Sequence, residues 1–242
     1  MGKRWILAVA LLAPAGAWSA YAADPAPPAA PKGKIPTSDI EIVEKLNDAR
    51  KKYQHTLEQL RLHYKATGEV EKTKWAEDEL KQYHRMVKYA YRLDIDVPVP
   101  TLSAKQNIPE ANDLFREAMS FKDHRGNGTD AIDNQRRAEI LFQRLLDKYP
   151  ESDKIGAAAY QLGDIYEKYR PTPQYPRAAI YFERSYQWNK TGHTDARLRA
   201  ARLYDKQIVD REKARAIYKD ILVNDTDNAR IEEARKRLEE LK

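Results

Sequence analysis

Residues 138–166 read AEILFQRLLDKYPESDKIGAAAYQLGDIY and set small residues beside aromatic ones at helical spacing. Ala138 precedes Phe142 by about one helical turn, and Gly163 precedes Tyr166 by a similar interval. Small residues let two helices approach closely, and aromatic side chains fill the space beside the contact. The same order returns further along, at Ala178 with Phe182 and at Ala214 with Tyr218. This recurrence is typical of stacked two-helix repeats, in which each pair buries its apolar face against its neighbours.

The recurrence predicts three helix pairs followed by a single helix. The predicted pairs span residues 109–122 with 133–149, 152–169 with 175–189, and 194–207 with 211–224. The last helix, over residues 228–241, carries Ile231, Ala234, Leu238 and Leu241 on one stripe. A terminal helix with a single apolar stripe is typical of the cap of an open solenoid. Strand-forming residues never alternate over a useful length, so the chain is predicted to be all-α, with residues 110–242 as its repeat domain.

A helical hairpin is predicted upstream, over residues 38–97. Its first helix is expected to begin at the capping box Ser38-Asp39-Ile40-Glu41 and to end near Ala66, because Gly68 suits the left-handed position after a helix. Its second helix is predicted over residues 70–93. Since a short turn joins two helices of similar length, they are expected to pack antiparallel within one chain.

The apolar residues of this hairpin are spaced by heptads, which is compatible with a second kind of pairing, between two chains. The first helix carries Leu46, Tyr53 and Leu60 on one stripe and Val43, Leu57 and Tyr64 on another, and the second helix carries Ala76, Leu80, Tyr83, Val87 and Ala90. Heptad spacing is also typical of a coiled-coil seam between chains. The alternative to an intramolecular hairpin is therefore a homo-oligomer formed through residues 38–93.

The N-terminus is predicted to be a secretory signal peptide, with residues 1–22 removed on export. Lys3 and Arg4 form a basic start, an apolar run follows over residues 5–13, and Ala20-Tyr21-Ala22 is a small-x-small cleavage site. The apolar run is too short to span a bilayer. An uncleaved N-terminal anchor is the alternative.

Two linkers are predicted from their prolines. Residues 23–37 contain Pro25, Pro27, Pro28, Pro31 and Pro36, and residues 98–109 run from Pro98 to Pro109. Proline removes a backbone donor and interrupts a helix, so both segments are expected to be non-helical. They would separate the signal peptide, the hairpin and the repeat domain.

The composition excludes several classes of protein. Cysteine is absent, which rules out a disulfide framework, a Cys-based zinc site, a thiol nucleophile and lipid attachment at an N-terminal Cys. The chain has 43 Lys and Arg against 37 Asp and Glu, a net charge of +6 with the signs mixed. A nucleic-acid-binding surface would be clustered and of one sign, so no nucleic-acid partner is predicted. No later stretch is apolar enough for a membrane helix, so the mature chain is expected to be soluble, without stable membrane insertion.

The motifs Leu162-Gly163-x-x-Tyr166 and Ala178-x3-Phe182, with Ala138-x3-Phe142 ending at Pro150, resemble those of tetratricopeptide repeats (TPR). The surrounding tract is similar to TPR proteins of the bacterial envelope. Two such groups are the TPR lipoprotein of the outer-membrane barrel-assembly machine and the periplasmic TPR protein that works with the Tol–Pal system. The chain lacks the lipid-bearing Cys of the first group and the long coiled coil of the second.

The resemblance implies a periplasmic scaffold with a concave groove lined by the first helix of each pair. Carried over residue by residue, the groove positions are Asn112, Phe115 and Met119, then Tyr160, Asp164 and Lys168, then Leu198, Arg202 and Lys206. Phe115, Tyr160 and Leu198 are the expected apolar anchors for an extended or helical segment of a protein partner. The charged positions are expected to set the register of that segment. Envelope assembly or division is the implied process.

No motif for catalysis, a cofactor or a metal is recognised. The five histidines lack the i, i+4 pairing with an intervening Glu that a zinc hydrolase needs. The polar loop 123–134 has Arg125 and Asn134 where a calcium loop needs ligands. The predicted function is therefore a non-enzymatic scaffold that binds a protein segment. A structural protein that self-assembles through its hairpin is the alternative, and an envelope enzyme or its accessory is a third class.

Overall fold

Helices dominate the computed structural model, which describes residues 38–124, 129–169, 172–190 and 195–241. Over these residues the helices are α1 Ile40–Thr67, α2 Val70–Arg85, α3 Leu93–Asp96, α4 Pro109–Asp123, α5 Thr129–Lys148, α6 Ile155–Glu167, α7 Tyr175–Trp188, α8 Ala196–Leu203, α9 Arg211–Asn224 and α10 Asn228–Glu240. The described part contains no β-strand, and its one isolated bridge joins Gln106 to Ser152. The predicted all-α class is confirmed. The predicted signal peptide and the linker 23–37 lie outside the described residues.

Helices α1 and α2 pack against each other as a hairpin. As predicted, α1 ends at Gly68, which has a left-handed backbone with φ 75°. The predicted capping box is wrong. Asp39 is the N-cap residue and makes no side-chain cap hydrogen bond, while the Ser38 hydroxyl accepts from the N–H of Ile40 at 3.3 Å.

Helix α2 is shorter than predicted, because it ends at Arg85 and not near residue 93. Met86 is extended, with φ −59° and ψ 128°. The Lys88 ammonium turns back and donates to the carbonyl oxygen of Tyr83 at 2.7 Å. Val87 and Ala90, predicted as seam residues of this helix, therefore lie in a non-helical segment.

The segment predicted as a linker over residues 98–109 is tied to α7. The Trp188 indole N–H donates to the carbonyl oxygen of Val99 at 3.0 Å, and Arg184 Nε donates to that of Pro98 at 2.7 Å. The backbone N–H of Ala104 also donates to the carbonyl oxygen of Trp188, at 3.3 Å. The described residues from Ser38 to Leu241 belong to one compact unit.

Helices α4 to α10 each pack against the next helix along the chain. The small and aromatic residues of the recurring pattern form their core, and Ala138, Phe142, Ala178, Phe182, Ala214 and Tyr218 are fully buried. A Cβ built on Gly163 would lie 2.7 Å from Cε1 of Phe182. Only glycine therefore permits this approach of α6 to α7. Burying one Phe side chain contributes roughly 1.5–3 kcal/mol to stability.

Helix α8 ends in a π-helical turn, Tyr204–Ile208, where the sequence predicts a regular helix to residue 207. The turn stops at Val209, whose left-handed φ of 62° is unusual for a β-branched residue. The N–H of Asp210 donates to the carbonyl oxygen of Tyr204 at 2.9 Å. The Asp210 carboxylate then caps α9 by accepting from the N–H of Lys213 at 3.0 Å.

Candidate functional site

The first helices of the three predicted pairs, α4, α6 and α8, meet in one ion network centred on Asp164. Its carboxylate lies 2.9 Å from Nζ of Lys122 on α4 and 2.8 Å from Nη2 of Arg199 on α8. Lys168, just after α6, contributes a third cation at 2.8 Å. The Asp164 side chain is 13% exposed, so these contacts are only weakly screened by water. One carboxylate therefore links three helices that are far apart in sequence.

The charge of Asp164 is fixed by this network. Burial by itself raises the pKa of the carboxyl group, but hydrogen bonds from Lys168, Lys122 and Arg199 outweigh it and hold the pKa well below its usual range. Arg199 also pairs with Glu167, one turn further along α6. The network thus carries three cations and two carboxylates, all with direct partners.

Tyr160 lies beside the network, half-buried on α6. Its hydroxyl donates to Oδ2 of Asp195 at 2.9 Å and accepts from Nη1 of Arg199 at 3.1 Å. Its ring meets that of Phe182 edge-on, with centroids 5.5 Å apart. Burial is the main cause that raises the pKa of Tyr160, so its hydroxyl stays neutral. The hydroxyl is therefore held in place by two partners while the side chain stays partly exposed.

The structure brings together the predicted groove residues Tyr160 and Asp164 of α6 and Lys168 just after it. Tyr160 and Asp164 share Arg199 as a partner, and Asp164 contacts Lys168 directly. Lys168 is 67% exposed in its side chain, so it remains accessible as a charged contact.

The predicted residues of α4 are half-buried. Phe115 packs against Phe142 with ring centroids 5.5 Å apart, and Met119 packs on the same hydrophobic core. The Asn112 amide donates to Oδ1 of Asn107 at 2.6 Å, which ties it to the preceding loop. Phe115 and Met119 therefore present only part of their apolar surface to a partner.

The predicted register of α8 needs a correction at Leu198. This side chain is 4% exposed and belongs to the core, so it does not offer an accessible anchor. Arg199, the next residue, contacts both Tyr160 and Asp164 instead. Successive side chains of an α-helix point in directions about 100° apart, so Leu198 and Arg199 lie on different sides of α8.

The remaining predicted positions on α8 and its π turn are exposed. Arg202 pairs with Glu233 of α10, with Nε 2.7 Å from Oε1. Lys206 lies in the π turn with an exposed side chain. Both side chains are accessible, and their place in a binding groove stays a prediction.

Sequence reasoning missed four members of this face, namely Lys122, Glu167, Asp195 and Arg199. A signal existed for Lys122, because it follows Met119 by three residues and so lies on the same face of α4. Arg199 was missed because the apolar Leu198 was matched to Phe115 and Tyr160.

Within the described ranges, no group of three or more His, Cys, Asp or Glu side chains is arranged to hold a metal ion. No helix in those ranges is both long and apolar enough to cross a membrane.

Comparison with known proteins gives no relative: no family model, no curated protein and no solved structure matches the chain. Function is therefore inferred from the geometry of the site and from the sequence.

Proposed function

We propose that the protein is a non-enzymatic, TPR-like scaffold of the bacterial cell envelope that binds a segment of a protein partner. In this proposal residues 110–242 form the solenoid, α10 caps it, and the binding face is made by α4, α6 and α8. The observation that carries the proposal is the Asp164 network, because it joins the first helices of three successive pairs on one face. A face fixed in advance loses little conformational entropy when it binds.

The side chains of this face suit a segment that is both apolar and acidic. Phe115 and Tyr160 supply partly exposed rings. Lys168, Arg202 and Lys206 supply exposed positive charge. Aromatic anchors dominate the affinity of many interfaces, while rim charges mostly steer association.

Capture from the native envelope tests the proposal with Tyr160→Ala, which removes the anchor ring. The variant is expected to weaken partner capture by about 2 kcal/mol, roughly thirtyfold in affinity. Tyr160→Phe is the matched control, since it keeps the ring and loses only the contacts to Asp195 and Arg199. Circular dichroism checks that helicity is unchanged.

Charge reversal gives a second arm of the same experiment. Arg202→Glu and Lys206→Glu are both expected to slow association. Arg202→Glu also breaks the pair with Glu233, so Lys206→Glu separates the loss of charge from the loss of that contact. Wild-type capture by Tyr160→Ala and by both reversals would overturn the proposed face.

Export to the periplasm is part of the proposal and has its own test. Intact-mass analysis of the protein from its native host is expected to show a chain that lacks residues 1–22. A mass that retains these residues would contradict cleavage at Ala20-Tyr21-Ala22.

Self-assembly through the hairpin is a second candidate, favoured by an apolar stripe on α1. Leu46, Tyr53 and Leu60 are 37%, 44% and 39% exposed, although Val43 and Leu57 on the neighbouring stripe are buried. Tyr53 contacts Tyr83 and Glu79 of α2, so α2 covers this heptad stripe only in part, and the exposed remainder suits a coiled-coil contact with a second copy. Light scattering on the protein tests this candidate, because a dimer that Leu60→Lys dissociates would support it and a wild-type monomer would exclude it.

A further inference from the structure

The α1–α2 hairpin contacts α5 through ion pairs whose signs alternate along the helix. On α5, Asp133 is negative, Arg144 is positive and Asp147 is negative. Arg144 and Asp147 follow Asp133 by 11 and 14 residues, about three and four helical turns, so the three charges lie on one face of α5. Their partners on the hairpin are, in the same order, Arg85, Glu58 and Lys51. The two facing surfaces are therefore complementary in charge.

Two of these pairs have short contacts and are partly shielded from water. Arg85 donates from Nε and Nη2 to the two carboxylate oxygens of Asp133, at 2.7 and 2.8 Å. Nη2 of Arg144 lies 3.1 Å from each carboxylate oxygen of Glu58. The hydrogen bond from Arg85 is the main cause that lowers the pKa of Asp133, so this carboxylate is ionised at neutral pH. The two arginine pairs are therefore expected to contribute more to the attachment than the exposed lysine pair.

The buried apolar residues of the hairpin lie outside the hydrophobic core of the repeat helices. They are Val43, Leu57, Ala76 and Leu80. The core of the repeat helices begins, along the chain, at Val97. Among the described residues before Val97, Val87 is the one that packs against this core, and it is only partly buried. Burial of apolar surface, the dominant favourable term in most protein contacts, therefore contributes little to holding the hairpin on α5.

A cavity of about 690 Å³ lies between the hairpin and the repeat helices. Side chains of α1, α2, α5 and α7 line it, and Ile140 and Leu146 of α5 are among them. His84 of α2 also lines it, and its Nε2 is buried without a hydrogen-bonding partner among the described residues. A buried polar atom without a partner is costly, and apolar side chains beside a cavity lose packing contacts. Both features lower the stability of the closed arrangement.

Within the hairpin, α1 and α2 are held to each other by contacts that do not involve α5. The Tyr83 hydroxyl of α2 donates to the carbonyl oxygen of Arg50 of α1 at 2.8 Å. The Asn47 amide of α1 donates to Oδ1 of Asp96 at 2.8 Å, which ties the segment after α2 to α1. From Pro98 onward the chain is hydrogen-bonded to α7. The hairpin can therefore move as one body, with its pivot between Asp96 and Pro98.

We infer that the hairpin is a detachable arm, which the three ion pairs hold against α5 and which opens when those pairs are screened by salt. Opening removes Val87 from the core and uncovers the charged face of α5 together with the wall of the cavity. Salt shifts the equilibrium because it weakens contacts that exist only in the closed arrangement. This conformational device lies apart from the α4, α6 and α8 face and does not depend on the function proposed for that face.

Energy transfer between two fluorescent labels on the purified protein measures the population of the open arm. Lys74→Cys on α2 and Lys148→Cys on α5 replace exposed lysines, and the chain has no cysteine of its own. Raising the salt concentration from about 0.01 M to about 1 M shortens the Debye length from about 30 Å to about 3 Å. The open population is expected to rise about tenfold over this range. A distance distribution that does not respond to salt would overturn the proposal.

Charge reversal connects the opening to a particular ion pair. Arg144→Glu and Glu58→Arg each place like charges opposite each other, and each is expected to raise the open population about tenfold at low salt. The two changes together restore a pair of opposite sign and are expected to return the population close to that of the wild type. Lys45→Glu is the matched control, because it breaks a pair with Glu41 within α1.

Circular dichroism checks that each variant is folded, and the salt titration of the otherwise unchanged protein carries the test should a reversal fail to fold. Wild-type behaviour of both single reversals, failure of the double variant to restore closure, or an equal effect of Lys45→Glu would overturn the proposal.

Discussion

The α6–α7 pair and the α1–α2 hairpin are both two packed helices, but they bury their apolar residues to very different extents. Between α6 and α7, Gly163 lets the ring of Phe182 lie against the backbone, and Phe182 is fully buried. In the hairpin the fully covered apolar residues are Val43, Leu57, Ala76 and Leu80. Tyr53 and Trp75 remain 44% and 59% exposed. The approach that Gly163 permits thus buries the Phe182 ring, whereas the hairpin leaves the rings of Tyr53 and Trp75 partly exposed.

The hairpin buries less of its aromatic side chains, and polar contacts help to hold its two helices together. The Tyr83 hydroxyl donates to the carbonyl oxygen of Arg50 at 2.8 Å, and Tyr53 hydrogen-bonds to Glu79. One of these hydrogen bonds is part-buried and the other exposed, and each contributes less to stability than a buried aromatic ring. We therefore expect the core between α6 and α7 to open only with global unfolding and the hairpin to open locally at lower free energy. The two candidate interaction surfaces are the α4, α6 and α8 face and the exposed stripe of α1. They therefore lie on parts of the molecule that we expect to differ in stability.

The largest expected effect comes from Gly163→Leu at the contact between α6 and α7. Even the first carbon of the new side chain would lie 2.7 Å from the Phe182 ring, so α6 and α7 would have to separate. We expect a loss of about 3 kcal/mol or more, since overpacking costs about 1–3 kcal/mol in ordinary cores. Urea denaturation measures it, with the exposed Ala216→Leu on α9 as the control. An unchanged midpoint would show that the two helices are not in close contact.

Asp164→Asn tests the network that joins α4, α6 and α8. Removing the carboxylate leaves Lys122 and Arg199 without their shared partner, and we expect a cost of about 2–3 kcal/mol at pH 7. The folded-state pKa of Asp164 lies below the unfolded value of about 3.9. Its contribution is therefore fully present above that value and is lost as the pH falls through the folded-state pKa.

The difference in unfolding free energy between wild type and Asp164→Asn should thus shrink from pH 7 to pH 3. Asp113→Asn is the control, because Asp113 pairs with Arg116 on the same helix α4 while its side chain is 73% exposed. It is expected to change stability very little. A difference that does not depend on pH would contradict the role assigned to the ionised carboxylate.

Leu57→Ala and Leu60→Ala sharpen the comparison within α1. Leu57 is 6% exposed and faces the hairpin core, so its truncation should cost about 2 kcal/mol. Leu60 is 39% exposed on the open stripe, so its truncation should cost about 0.5 kcal/mol or less. Thermal unfolding of both variants measures the difference. Equal losses would mean that the open stripe is covered in solution.

Gly68→Ala has the smallest expected effect and tests backbone strain in place of packing. A Cβ at Gly68 meets no atom within 4 Å, so it produces no clash. The left-handed φ of 75° remains unfavourable for alanine, at about 1 kcal/mol. Gly68→Asn should lose less, because asparagine tolerates this conformation. If the alanine variant were as stable as wild type, the turn would not require a left-handed residue.

Local signals in the sequence predicted the all-α class, the end of α1 at Gly68 and the buried small and aromatic residues. The end of α2 at Arg85 carries no such signal, because no Gly or Pro lies nearby. It is associated with long-range contacts, including the pair of Arg85 with Asp133. The wrong choice of Leu198 in place of Arg199 on the proposed binding face has a similar cause. An apolar residue and a long cation both fit the helical spacing, and only packing decides which one is buried.

Hydrogen–deuterium exchange with and without the captured partner tests the central claim that the repeat region binds through its first helices. The account predicts slower exchange on binding in Pro109–Asp123, Ile155–Glu167 and Ala196–Leu203. It predicts no change in Ile40–Thr67, which carries the open stripe of the hairpin. Protection confined to Ile40–Thr67, with the three first helices unchanged, would contradict the account and make the hairpin the binding element.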